Sequence, residues 1–178
     1  MKNIWLTADT HLDHEAILRH TSRPFTTIDE MNEAIVEGIN RHVNRNDLLI
    51  HAGDFGWKAS RIGHWRQRLH VREIWVARGN HDAASLRSHV SRMDLILFCK
   101  LAGRKAVISH YPQFSWAGRE RGAVHLYGHS HGRSEAFLDA NFPNRFAMDV
   151  GIDYIHLLTG EWRPIHFDEI LERLGCQD

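Results

Sequence analysis

Apolar residues along this 178-residue chain follow two rhythms that change near its middle. In the first half, short apolar runs alternate with stretches of helical period. Residues 3–8 read as a buried strand and residues 14–20 as a short helix. Thr27-Ile28-Asp29-Glu30 has the form of a capping box, with Thr27 at the N-cap and Glu30 at the third helical position. It opens a helix whose apolar positions Met31, Ile35, Ile39 and Val43 follow the 3.6-residue period. Asn44 to Asp47 reads as a turn, and Leu48-Leu49-Ile50 as the next strand. An amphipathic helix is expected over 60–70 around Ile62, Trp65 and Leu69, then a strand over 73–77 and a short helix near 83–90.

In the second half, strand-like runs at 94–99, 105–109, 123–127 and 145–150 crowd together with little helix between them. A last strand near 162–166 and a terminal helix near 168–174, capped by Asp168, complete the pattern. Alternation in front and clustered strands behind predict an α/β fold of two sheets face to face with helices outside. A single domain over 1–178 is expected, long enough to bury a full core without staples.

Composition narrows the function classes. Lysine plus arginine and aspartate plus glutamate both number 22, so the chain has no overall bias towards polyanions. Arg66, Arg68 and Arg72 read as a solvated helix face rather than a nucleic-acid patch. The two cysteines, Cys99 and Cys176, make no disulfide framework and suit free thiols in a reducing cytosol. No signal peptide precedes the first strand, and no run approaches the length of a membrane span. A cytoplasmic protein is expected.

The histidines change the picture. There are 15, and five of them fall in short signals placed where a strand-like run stops. In order the signals are Asp9-Thr10-His11, Gly53-Asp54, Gly79-Asn80-His81-Asp82, Ser109-His110 and Gly128-His129-Ser130-His131-Gly132. Loops leaving the carboxyl ends of strands in such sheets line one crevice, so these distant residues can converge. Together they supply two carboxylates, one amide oxygen and four imidazoles, with His81 to spare. That set can hold two metal ions side by side, which best serves phosphate-ester cleavage. Asp9 and His11, two apart on an extended segment, can share one ion, and the carboxylate of Asp54 can bridge two.

Oxygen and nitrogen donors without thiolate suit manganese first, or iron, zinc, nickel or cobalt. Two divalent ions outweigh two carboxylates, so the site attracts an anion and can activate a bridging hydroxide. His81 is placed to protonate the leaving oxygen, with Asp82 orienting its ring. His51 and His125 read as buried histidines satisfied by backbone. Asp149 and Asp153, which end a further strand, could anchor a neighbouring ligand histidine, but a structural role is the preferred reading.

In order and content the signals resemble those of the calcineurin-like metallophosphoesterases: D-x-H, G-D, G-N-H-[DE], H and G-H-x-H. More narrowly the chain is similar to short bacterial and phage members, through His14, Arg23-Pro24-Phe25 and Ser109 to Pro112. The resemblance implies a four-layer α-β-β-α sandwich of mixed sheets. It also implies that Asp9, His11, Asp54 and His131 hold one metal and that Asp54, Asn80, His110 and His129 hold the other. His81 would be the catalytic histidine, and His14 and Arg23 candidates for substrate contact. The expected activity is that of a phosphodiesterase on a phosphate-ester substrate, a nucleotide among the candidates. A phosphomonoesterase, a nucleotide pyrophosphatase or an inactive metal-binding scaffold are the alternatives.

Overall fold

The computed structural model describes residues 2–176. In chain order its elements are β1 (Ile4–Thr7), α1 (Ile17–His20), α2 (Ile28–His42), β2 (Leu48–His51), α3 (Ile62–Arg68), β3 (Glu73–Ala77), β4 (Arg92–Asp94), β5 (Ile96–Leu101), β6 (Arg104–Ser109), β7 (Val124–Tyr127), α4 (Glu135–Asn141), β8 (Ala147–Asp149), α5 (Ile152–Thr159), β9 (Ile165–His166) and α6 (Phe167–Arg173). One sheet runs β4-β3-β2-β1-β9 and the other β5-β6-β7-β8. Both are mixed: β9 is antiparallel to β1, and β5 to β6, while the remaining pairs are parallel.

The period of two along each strand sorts side chains between layers. Leu48 and Ile50 of β2 face the space between the sheets, against Leu97, Ile108, Val124 and Leu126. Leu49 of the same strand turns outward to α2 and α3, against Ile35, Ile39 and Trp65. Buried on both faces, β2 reads as an unbroken apolar run, as a central parallel strand should. α5 and α6 close the inter-sheet core through Ile155, Phe167 and Ile170. The outer face of the second sheet carries a thinner cover, Trp116 on a loop and Leu138 of α4 over Val107, Tyr127 and Ala147.

Several expectations are corrected. The run expected as one strand over 94–99 is two strands in different sheets, with Leu95 alone between β4 and β5. The segment 83–90 forms a 3-10 turn, Ala84–His89, rather than an α-helix. α4 and α5 fill the second half, where little helix was expected. The terminal helix starts at Phe167, and its cap is His166 in a box with Glu169, not Asp168. The first capping box is half made: the Thr27 hydroxyl accepts the Glu30 amide, but the Glu30 carboxylate takes the amide of Thr26. Among the described residues no helix is long and apolar enough to cross a membrane.

Candidate metal centre

All five signals lie at the carboxyl ends of strands. Asp9 and His11 follow β1, Asp54 follows β2, and Asn80 follows β3. His110, His129 and His131 follow β6 and β7 of the facing sheet. The first two loops continue the ladder of their strands: the Asp9 amide donates to the Gly53 carbonyl and the His11 amide to that of Asp54, both at 2.9 Å. The sheets are joined at this edge by a bridge between Ala8 and Gly151.

The backbone is strained where the donors stand. Asp9, His11, Asp54, His129 and His131 all have positive φ, between 48° and 67°. Such conformations cost a non-glycine residue about 1 kcal/mol or more and persist only where surroundings over-determine them. Asp82 supplies part of that restraint, accepting the amides of Asp54 (3.0 Å), Phe55 (2.8 Å) and Gly79 (2.8 Å). Two motif glycines exist for close approach. A Cβ on Gly79 would stand 2.1 Å from Asp54 Oδ1, and one on Gly128 would stand 2.6 Å from Asp9 Oδ2.

Four donors, Asp9, His11, Asp54 and His110, form a buried floor. Asp54 Oδ1 accepts the His81 amide at 2.8 Å. Its Oδ2 lies 3.5 Å from His11 Nε2 and 3.3 Å from His110 Nε2, so one carboxylate oxygen faces imidazoles from both sheets. His110 Nδ1 meets the Ala52 carbonyl at 2.9 Å, which leaves Nε2 towards Asp54 and towards Asn80 Oδ1, also at 2.9 Å. Asp9 Oδ2 accepts the His129 amide at 2.9 Å. Asp9 Oδ1 and His11 Nε2 are buried with no hydrogen-bond partner among the described residues. Orphaned buried acceptors are costly, and a cation between them would satisfy both.

Two triads bring donor atoms within 4.8 Å of one another: Asp9, His11 and His131, and Asp9, Asp54 and His110. They share Asp9, whereas the expectation shares Asp54. The contact of Asp9 with His110 is to Nδ1, at 4.0 Å, the nitrogen already bound to Ala52. Nε2, which also meets Asn80 Oδ1, faces Asp54 Oδ2 at 3.3 Å.

The charges follow from these contacts. Burial pushes the Asp9 carboxyl well up, and Asp149, Asp54 and Asp153 push it further. Burial would also raise Asp54, but the hydrogen bond and charge of His110, with His11, hold it far below the usual carboxylate range. Burial lowers His11 to about 2. His110 is raised, because hydrogen bonding and charge from Asp54 outweigh its burial.

The rim is exposed and carries Asn80, His81 and His129, with His131 half-buried beside them. The His81 ring stands 5.5 Å from that of His11 and 5.6 Å from that of His14. His14 Nδ1 is 3.1 Å from His11 Nδ1, at the edge of the cluster. Asp82 does not take the place expected for it: its carboxylate accepts the three backbone amides, and among the described residues it makes no hydrogen bond with the His81 ring. Arg23 also stands elsewhere than expected, buried beneath the floor rather than at the opening. It grips Asp153 with two bonds, at 2.8 and 2.7 Å, and donates to the main-chain carbonyls of Asp9 (2.6 Å) and Thr10 (3.1 Å).

Asp153 and Asp149 matter more than sequence reasoning gave them. Asp153 Oδ2 meets His131 Nδ1 at 2.7 Å, which orients that ring. Asp149 accepts Ser130 Oγ (2.7 Å) and the Gly132 amide (2.9 Å), so it shapes the loop that carries His129 and His131. The signal was the Asp149-x-x-x-Asp153 spacing across a strand end and the helix after it. His51 and His125 are satisfied core histidines. His51 bonds Thr10 Oγ1 and the Gly53 amide, and His125 bonds the Val107 carbonyl and the Gln113 amide.

A sandwich of two mixed sheets whose loops gather carboxylates and imidazoles around buried, unsatisfied acceptors is the setting of a metal-dependent hydrolase. Residues 1–149 match the calcineurin-like phosphoesterase superfamily domain, and the chain belongs to that family. It is a metallophosphoesterase, a hydrolase of phosphate-ester bonds. An uncharacterized protein of Methanocaldococcus jannaschii is 26% identical over 174 residues, 97% of this chain and 91% of its own. A solved Aquifex aeolicus protein of unknown function shares the fold with a TM-score of 0.77 at 18% identity, covering 97% of this chain and 100% of that one. A solved archaeal phosphodiesterase matches with a TM-score of 0.51 at 20% identity, over 89% and 88% of the two chains.

Proposed function

We propose that this chain is a phosphodiesterase working with two divalent ions, manganese first among them. Asp9, His11, Asp54 and His131 would hold one ion, and Asp54, Asn80, His110 and His129 the other. Bound there, such a pair lowers the pKa of a water nucleophile and neutralises charge on the phosphoryl group. The observation that carries this reading is Asp54 Oδ2, set between His11 Nε2 at 3.5 Å and His110 Nε2 at 3.3 Å, beside the orphaned Asp9 Oδ1.

The chain's own residues do the rest. His81, on the exposed rim and held there by its amide bond to Asp54 Oδ1, donates a proton to the departing ester oxygen. Asp82 fixes the Asp54 and Gly79 loops relative to one another, so that ring and carboxylate keep their spacing. Asp153 holds His131 and takes its own position from Arg23. The open rim leaves room for a group on either side of the phosphate, which favours a diester, and the diesterase named among the fold relatives is in keeping with that choice. The two free thiols, Cys99 and Cys176, agree with work in the cytoplasm.

The test loads purified protein with Mn²⁺ and compares bis-p-nitrophenyl phosphate with p-nitrophenyl phosphate. The diester should be preferred. His81→Ala should keep its metal content by elemental analysis and lose about 10²- to 10⁴-fold in kcat. Turnover of neither ester with any of the five metals would sink the enzyme mechanism. An unchanged rate in His81→Ala would remove that residue from the proton step.

A further inference from the structure

The cluster at the carboxyl edge ends, on both sides, in an exposed aromatic ring. At the His11 end stands Trp57. Its ring lies flat on His14, with centroids 4.0 Å apart and planes 6° from parallel, and its centroid is 5.0 Å from that of His81. At the His110 end stands Tyr111, 4.3 Å from the His129 ring and 5.1 Å from that of His110. Trp57 is 47% exposed and Tyr111 51%.

The backbone that carries each ring is held. The Trp57 amide donates to the Leu12 carbonyl at 2.8 Å, next to the bridge between Leu12 and Gly56. The Tyr111 carbonyl accepts Ser109 Oγ at 2.8 Å. Unlike the exposed rings of Phe98 and Phe137, these two pack against histidines of the cluster, and a ring that is already packed on one side loses little entropy when something stacks on the other. With one face of Trp57 on His14, its open surface suits a flat π-system.

We propose that Trp57 and Tyr111 are stacking platforms for the two arms of the substrate, one on each side of the scissile phosphate. This rests on the phosphodiesterase reading and narrows it: the substrate is a diester carrying a nucleobase on each arm. Stacking accepts any base, because every base has a π-face. The preference this creates is for nucleotide diesters as a class and not for a sequence. The metal centre supplies the charge that the phosphate needs, so no extended basic patch is required.

The experiment uses the Mn²⁺-loaded full chain and three diesters: bis-p-nitrophenyl phosphate, the dinucleotide ApA, and an abasic analogue of ApA with the same sugar-phosphate frame. The wild type should favour ApA over the abasic analogue by at least about tenfold in kcat/KM. Trp57→Ala and Tyr111→Ala should each shrink that ratio about tenfold, mainly through KM, and Trp57→Phe should restore most of it. Binding gives a readout apart from turnover. A phosphorothioate ApA should quench tryptophan emission in the wild type. Trp57→Phe should lose that quench while keeping its calorimetric affinity.

Hydrolysis of bis-p-nitrophenyl phosphate with equal rates on ApA and its abasic analogue overturns the platforms and leaves the phosphodiesterase reading standing. Failure on all three diesters overturns the phosphodiesterase reading itself. In that case quenching and calorimetry still decide whether the rings bind bases, and absence of both overturns the platforms as well.

Discussion

Asp9 and Asp54 look into the same cavity from adjacent strands, and their surroundings drive them in opposite directions. Asp54 lies among imidazoles, with His11 and His110 near one oxygen and the His81 amide on the other. Asp9 is raised first by burial and then by the carboxylates of Asp149, Asp54 and Asp153, and one of its oxygens has no hydrogen-bond partner among the described residues. One carboxylate is thus balanced by the protein and the other is not. The difference teaches where a bound cation would gain most: beside Asp9, whose charged form burial and neighbouring carboxylates disfavour.

The sharpest way to break this contrast is to neutralise each carboxylate in metal-free protein. Asp54→Asn removes the partner of His110 and should cost about 2–3 kcal/mol of stability in urea unfolding. Asp9→Asn removes a carboxylate disfavoured by burial and like charge. It keeps an acceptor for the His129 amide and tolerates the positive φ, so the metal-free variant should melt higher than metal-free wild type. Both variants should lose metal-dependent turnover. A lower melting temperature for metal-free Asp9→Asn would end the comparison.

A smaller effect tests how the Asp9 half is held. Asp153→Asn weakens the grip on His131 and strands the Arg23 guanidinium, and should lower affinity for one of the two metals about 10- to 100-fold. Metal titration followed by calorimetry should then show two unequal steps. A uniform change in both would mean that Asp153 acts on the fold rather than on His131.

The smallest effect concerns pH and the Asp54 half. His51, which ties Thr10 to Gly53, is lowered by burial to about 3. The unfolded chain takes up a proton near pH 6.5 that the folded state refuses until about pH 3. Its contribution is therefore complete above pH 6.5 and drains away as pH falls through that window, by up to about 1.4 kcal/mol per unit. His51→Asn, which keeps an acceptor for the Gly53 amide, should flatten the slope of metal-free stability between pH 6 and 5. An identical slope would refute the assignment.

Much of the site was legible because each signal is short, contiguous and set at a strand end, where topology guarantees convergence. What escaped was carried by distance. Asp153 lies 22 residues from His131 and 130 from Arg23, so their spacing along the chain does not mark the contact, and Arg23 reads as a candidate for substrate contact. The buried carboxylate of Asp82 reads as an imidazole partner because it follows His81 directly, while its hydrogen bonds come from the Gly79 amide of its own loop and two amides brought over from the β2 loop. The fold shows the same division. β2 and α2 follow from their periods, but 94–99 reads as one continuous run, and only pairing with β3 on one side and β6 on the other splits it at Leu95. α5 was missed because its few residues sit against strong strand signals.

One feature of the first sheet bears on how the protein comes to be made. β1 lies between β2 and β9, and Ala8 at its end pairs with Gly151. β1 therefore waits for residues 151 and 165 before its hydrogen bonding is complete. Asp9, which begins the motif set, reaches its final surroundings only after Asp149 and Asp153 have been made. A nascent chain halted before α5 would carry all seven candidate donors without the surroundings that make them a site.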